Sequence, residues 1–292
     1  MWRWVVRTES GRSAFVKAAL GSDAAPWLHS EARVYREVSA RWLPELFGYR
    51  AGGDDVASVL VIEDLSRARW GVPLDVHDAE LLRDALHALT EVKALTGLPG
   101  VELQRQWGEF AEDPWAVTAS GLVDETWLSR CLPDLVAAES AVEVAGDGLV
   151  HRDLFLQNWC RAARGAVIVD WARPWRGNGD LCVAWGEAGV RAAGGPGGVV
   201  LPPGCASWAA YVAGQIVWVP HRPRRAGASP PCRERAARGV RVAVLGGRRA
   251  RTRQATVCPW IPASRPLAAL VPRRWSTLLD DRVNDRAPWC ER

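Results

Sequence analysis

The sequence predicts an α+β protein of two unequal parts: a small, strand-rich N-terminal region reaching about Leu65, and a larger, mainly helical region reaching about Val217. Three observations carry this expectation. Short apolar runs separated by turn residues fill the first 65 positions. Apolar residues then recur at helical spacing, as at Leu82, Ala85, Leu86, Leu89 and Val92. Between Gly146 and Asp180, a set of polar residues is spaced around two short apolar runs.

Residues 2–20 read as two strands about the turn Glu9-Ser10-Gly11-Arg12, the second strand being Ala14-Phe15-Val16-Lys17. Lys17 and Lys93 are the only lysines of a chain that otherwise uses arginine, so an ammonium inside an apolar strand points to a compact cation being needed there. A helix is expected over Ala25 to Arg41, starting after Pro26 and carrying Leu28, Glu31, Val34, Tyr35 and Val38, with Glu31 on or beside the apolar face. A carboxylate in that place wants a cation, and Lys17 is the candidate. Pro44 to Tyr49 is strand-like, and the turn Gly52-Gly53-Asp54-Asp55 leads to a strand over Ser58 to Leu65 that ends in Glu63-Asp64-Leu65.

Asp78 to Leu95 is an amphipathic helix with no role beyond packing. From Val101 to Pro133 the pattern weakens. Glu109, Glu112 and Asp113 among Trp107, Phe110 and Trp115 form either a substrate mouth or a solvated face over buried aromatics. Further helices are expected over Leu128 to Val144, Leu181 to Ala193 and Ala206 to Val217, with a glycine- and proline-rich loop from Gly194 to Gly204.

The densest chemistry lies between Gly146 and Asp180. His151-Arg152-Asp153 follows Leu149 and Val150, Asn158 comes five residues after Asp153, and Asp170 comes 17 residues after it. Arg161 to Gly165 has turn composition between two runs too short for helices, which predicts a hairpin with Asp153 and Asn158 leaving its first strand and Asp170 ending its second. Two carboxylates and a carboxamide at one mouth suit a site that orients a hydroxyl and holds Mg²⁺ through hard oxygen ligands.

This segment resembles the catalytic core of protein-kinase-like phosphotransferases, and most closely the aminoglycoside phosphotransferase branch. The matching runs are His151 to Asn158, Val169-Asp170-Trp171 and Gly177 to Leu181. Arg152 is the protein-kinase form, whereas Asp170-Trp171-Ala172 is not. The resemblance implies a two-lobed fold, with a small nucleotide-binding lobe over 1–65 and a helical catalytic lobe over 66–217. It further implies ATP-dependent transfer of the γ-phosphoryl group to a hydroxyl of a small acceptor. Asp153 would orient the acceptor hydroxyl, and Asn158 and Asp170 would hold Mg²⁺. Lys17 would contact the nucleotide phosphates with Glu31 as its partner, and the main chain near Glu63 and Leu65 would meet the adenine. His151 and a buried Asp180 would brace the catalytic loop. The family's first strand and glycine-rich loop have no counterpart, since only sixteen residues precede Lys17 and Gly11 is the one glycine among them. A remnant that binds nucleotide weakly is the alternative, and a protein kinase ranks last because no Ala-Pro-Glu follows.

Charge divides the chain. Residues 1–217 carry 20 Lys+Arg against 28 Asp+Glu, net −8, while residues 218–292 carry 17 against 5, net +12. The acidic part is compatible with cationic acceptors such as aminoglycosides or amino alcohols. All 17 cations of the tail are arginine, and Arg, Pro, Ala and Gly make up 41 of its 75 residues. That composition is expected of a poorly ordered segment or of a GC-rich gene read out of frame. The tail lacks the interleaved aromatics of a single-strand binder, so no nucleic-acid partner is expected. No apolar run is long enough to span a membrane and the N-terminus lacks a signal-peptide core, which places the expected protein in the cytoplasm. The seven cysteines include no C-x-x-C pair and are expected as thiols.

Overall fold

Alternating burial in the first 65 residues resolves into four antiparallel strands, β1 (Trp2–Arg7), β2 (Ser13–Ala19), β3 (Leu46–Arg50) and β4 (Ser58–Glu63). Their order is β1-β2-β4-β3. The computed structural model describes residues 1–218 apart from 8–10, 22–23, 54–55, 72–73, 119–122, 193–194 and 196–204. Along β4 the residues Ser58, Leu60 and Ile62 are buried and their neighbours half-exposed, the period-two signature of a sheet with one covered face. Lys17 on β2 lies opposite Leu60, in the middle of this sheet. β1 is the edge strand, with Trp2, Trp4 and Val5 exposed.

The covering element is α1 (Ala25–Glu37), which packs on β2, β3 and β4. Pro26 suits the first turn, where its missing N–H is not needed, and the helix stops short of Arg41 because Val38 turns extended. Its buried stripe is Leu28, Glu31, Ala32, Val34 and Tyr35. Burying each of the large apolar members contributes about 1.5–3 kcal/mol.

The strand-rich region leads into a larger helical region. After β5 (Arg69–Trp70), Asp75 and Asp78 form a reciprocal capping box that starts α2 (Val76–Thr90). Arg69 and Arg161 both ion-pair with the buried Asp78, at 3.3 and 3.0 Å. Then follow α3 (Gln106–Glu112), α4 (Pro114–Thr118), α5 (Glu125–Ser140), β6 (Gly148–His151), β7 (Trp159–Ala162), β8 (Gly165–Ile168), β9 (Pro174–Gly177), α6 (Asp180–Ala192) and α7 (Cys205–Trp218). The predicted hairpin is β7–β8, closed by Ala162 opposite Gly165, whose φ of +119° requires glycine. Its first strand begins only after Asn158. Leu149 and Val150 belong to β6, which pairs with β9, so Asp153 lies in the loop between two different sheets.

Among the described residues, Met1–Val101 with Val144–Gly189 forms one compact unit, and Glu102–Glu143 with α7 belongs to a second. In the second unit Trp107 and Phe110 are buried in an edge-to-face pair, while Glu109, Glu112, Asp113 and Trp115 are exposed. The Trp107 indole N–H donates to Ala210 O at 2.7 Å. Cys131 is disulfide-bonded, which corrects the expectation of thiols there, whereas Cys160 and Cys182 are free. No described helix is long and apolar enough to cross a membrane. The Arg- and Pro-rich tail lies outside the described residues beyond Trp218.

Candidate active site

Sheet register puts Lys17 under α1, and helix periodicity puts Glu31 over the sheet. Their side chains meet: Lys17 Nζ lies 2.8 and 2.9 Å from the two Glu31 oxygens and 3.0 Å from Asp170 Oδ1. Lys17 is 5% exposed and Glu31 0%, so a desolvated ion pair anchors the site. The Tyr35 hydroxyl, one helical turn along α1, donates to Glu31 Oε1 at 2.7 Å. Burial and the adjacent Glu31 charge raise the Tyr35 phenol well above its ordinary value, so it stays a donor. Burial alone would raise the Asp170 carboxyl, but the Lys17 charge and hydrogen bond hold it below the usual value. Asp170 is the one non-glycine residue with positive φ among those described, at +63°, a conformation aspartate tolerates better than most.

The second half of the site is organised by a ring. Val169 O can only accept, so its 3.0 Å contact fixes a proton on His151 Nε2. Asp153 N–H donates to Nδ1 at 3.2 Å, so that nitrogen is bare. His151 is therefore one neutral tautomer, and burial pushes its pKa down, consistent with this. Trp171 packs against it edge-on at 4.5 Å, which fixes the ring plane. The imidazole thus ties the main chain of Asp153 to the residue before Asp170. Asn158 Nδ2 donates to Asp153 O at 2.6 Å, and Val169 N–H donates to Asn158 O at 2.8 Å, closing the loop. Asn158 is buried, whereas Asp153 is exposed and open to a reactant.

One expectation is corrected. Asp180 is exposed at the first turn of α6 rather than buried against the catalytic loop. The thiol of Cys182, two residues on, instead accepts the His151 N–H at 3.2 Å. At the end of β4, the Glu63 N–H is spent on Glu45 O, and Leu65 O accepts from Ala68 N–H and the Trp70 indole. Those particular groups are therefore taken, which narrows the main-chain contacts left for a nucleobase. The Glu63 carboxylate is held by Arg164, and although its partial burial favours the neutral acid, Arg164 keeps it ionised below its usual pKa. A cleft of about 340 Å³ lies beside this pair, lined by Tyr35, Arg41, Leu43, Glu63 and Arg164 among others, away from Asp153.

Tyr35 was readable as the i+4 neighbour of Glu31, but its periodicity marked it only as core. Nothing in the sequence distinguishes Cys182. Among the described residues, no three His, Cys, Asp or Glu side chains assemble a metal centre. Asn158 Oδ1, left by the committed amide nitrogen, and the Asp170 carboxylate are two hard oxygen donors. They fit Mg²⁺, an ion that takes one or two protein ligands and completes its shell with water and substrate phosphates. The arrangement can hold a cation and a nucleotide phosphate beside Lys17 and present a carboxylate, Asp153, to a hydroxyl.

The family model for the phosphotransferase enzyme family matches residues 3–182. A search of curated proteins finds no match. Among solved structures, the chain is similar to an aminoglycoside-3′-phosphotransferase of type VIII, at 18% identity over 82% of this chain and 87% of that one, with a TM-score of 0.41. A thermostable mutant aminoglycoside phosphotransferase, in ternary complex with ADP and hygromycin B, matches at 13% identity over 85% and 95%, with a TM-score of 0.42. Choline kinase LicA from Streptococcus pneumoniae matches at 12% identity over 82% and 89%, with a TM-score of 0.41.

Proposed function

Because the chain belongs to the phosphotransferase enzyme family, we propose that it transfers the γ-phosphoryl group of ATP to a hydroxyl of a small, cationic acceptor such as an aminoglycoside or amino alcohol, in the cytoplasm. One observation carries the reading: Lys17 Nζ is 2.8 Å from Glu31 and 3.0 Å from Asp170, and a single imidazole joins the Asp170 segment to Asp153. Lys17, steadied by Glu31, serves the nucleotide phosphates. Main-chain groups beside Glu63 and Leu65, other than those already bonded, serve the adenine. The lobes divide near Leu65.

Asn158 and Asp170 would hold Mg²⁺, which when bound neutralises charge on the phosphates. Asp153 orients the acceptor hydroxyl and receives its proton. The acceptor oxygen forms the new bond to phosphorus as the bond from phosphorus to the β,γ-bridging oxygen breaks and ADP leaves. The net −8 of residues 1–217 favours a cationic acceptor. Transfer to protein is disfavoured because Asp170-Trp171-Ala172 lacks the Phe-Gly that follows the aspartate in protein kinases.

The test is a screen of hydroxylated amines and sugars with labelled ATP and Mg²⁺. Wild type should label at least one cationic acceptor, and Asp170→Ala should lose about a thousandfold or more, the scale of removing a principal electrostatic group. Equal labelling by both proteins would reject the assignment.

A further inference from the structure

One sulfur sits where β6 passes into the loop that bears Asp153. Cys182 is 0% exposed. Its Sγ accepts the His151 N–H at 3.2 Å and lies 3.9 Å from both Leu149 O and His151 O. Burial pushes this thiol up to about 12, so it carries its proton at any ordinary pH. A protonated thiol can accept from the amide and donate to a carbonyl at once, whereas a carboxylate there could only accept and would repel both carbonyl oxygens.

The rest of α6 is shaped for the same contact. Cys182 and Gly189 fall at i and i+7, on one face, whereas Gly186 lies against Leu86 of α2. A side chain at Gly189 would come within 3.0 Å of Leu154 O, so the glycine lets the helix lie directly against the loop. Trp185 meets Phe155 edge-on at 5.4 Å. Three successive contacts of α6 therefore back the segment from His151 to Phe155, and the thiol supplies the polar one.

We propose that Cys182 is a positioning residue for phosphoryl transfer, holding the His151 main chain so that its ring keeps Asp153 and the Asp170 segment in register. The thiol itself takes no part in the chemistry. The inference rests on the reading of Asp153 as the group that orients the acceptor. A displacement of His151 passes through its 3.2 and 3.0 Å hydrogen bonds to both acidic segments, and small misplacements of reacting groups cost rate rather than binding.

The experiment compares full-length wild type with Cys182→Ser, which keeps a donor and acceptor, and Cys182→Val, which is larger by about one methyl group, leaves no cavity and loses both. Amide hydrogen exchange over residues 149–155 and steady-state kinetics with ATP are the readouts. Cys182→Val should exchange faster in that segment and lose about tenfold in kcat with KM for ATP unchanged, the scale of one hydrogen bond. Cys182→Ser should stay within about threefold of wild type in both. Wild-type exchange in Cys182→Val, or equal losses in the two variants, overturns the proposal. If Cys182→Val does not fold, Cys182→Ala takes its place with the same expected outcome. A wild type without turnover would sink the functional reading alone, because the exchange comparison still decides what Cys182 holds.

Discussion

Glu31 and Glu139 are buried to the same degree, both 0% exposed, and the fold answers the two charges by opposite means. Glu31 faces a full cation, Lys17, and a tyrosine hydroxyl. Glu139 is answered by main-chain amides: its oxygens accept from Gln106 N–H and Trp107 N–H at 2.9 Å and from Gly108 N–H at 3.4 Å, the otherwise unpaired donors of the first turn of α3. There burial outweighs the three amides and raises the carboxyl to about 7. An amide-held carboxylate completes a helix end, whereas one that draws a lysine and a second carboxylate into the same space costs desolvation that packing alone does not justify, which is the ground for proposing a site there.

The contrast is broken most severely by Lys17→Met. It leaves Glu31 buried without its cation, and urea denaturation should show a loss of about 3–5 kcal/mol together with loss of ATP-dependent turnover. A variant as stable as wild type would contradict a buried charge pair between Lys17 and Glu31.

The pH dependence separates the two acids by sign. The folded pKa of Glu139, about 7, lies above its ordinary 4.5, so the stability it contributes is full below 4.5 and is lost as pH rises through about 7. Asp170 is shifted the other way, so its contribution is present above 3.8 and is lost as pH falls through its lower folded value. His151, held neutral, also opposes Glu139, its contribution weakening as pH falls below 6.5. The difference between wild type and Glu139→Gln isolates Glu139. It should shrink by about 2–3 kcal/mol between pH 4.5 and pH 7.5 in urea titrations, and a constant difference would contradict the assignment.

The smallest effect sharpens the comparison. Tyr35→Phe removes one hydrogen bond to Glu31 and should cost about 1–2 kcal/mol, with the pH dependence attributed to Glu139 unchanged. A cost above that range would place more of the Glu31 charge on the phenol than on Lys17.

Where residues interact along a regular period, their meeting was legible in the sequence. Lys17 in an apolar strand and Glu31 on an amphipathic helix could be paired from β-alternation and helical spacing. The strand-rich start, the helical remainder and the β7–β8 hairpin followed from turn composition and apolar runs. What could not be read depended on which distant segments pair. Leu149 and Val150 look like a first hairpin strand until β9 claims them, because a four-residue strand carries no mark of its partner. Cys182 and Asp180 lie two residues apart on a helix, so a small change in where α6 begins decides which of them faces the loop. Glu139 showed nothing of its role, since the amides it caps are 31 to 33 residues away.

Asp153, held by the His151 ring, is proposed to orient an acceptor hydroxyl beside the Lys17 cluster. The most direct measurement is the steady-state rate of Asp153→Asn with Mg²⁺, labelled ATP and the best acceptor from the screen. A fall in kcat of about 10²–10⁴ with KM for ATP unchanged is expected, because the substitution keeps the fold and removes only the proton acceptor. A kcat within a few fold of wild type would contradict it.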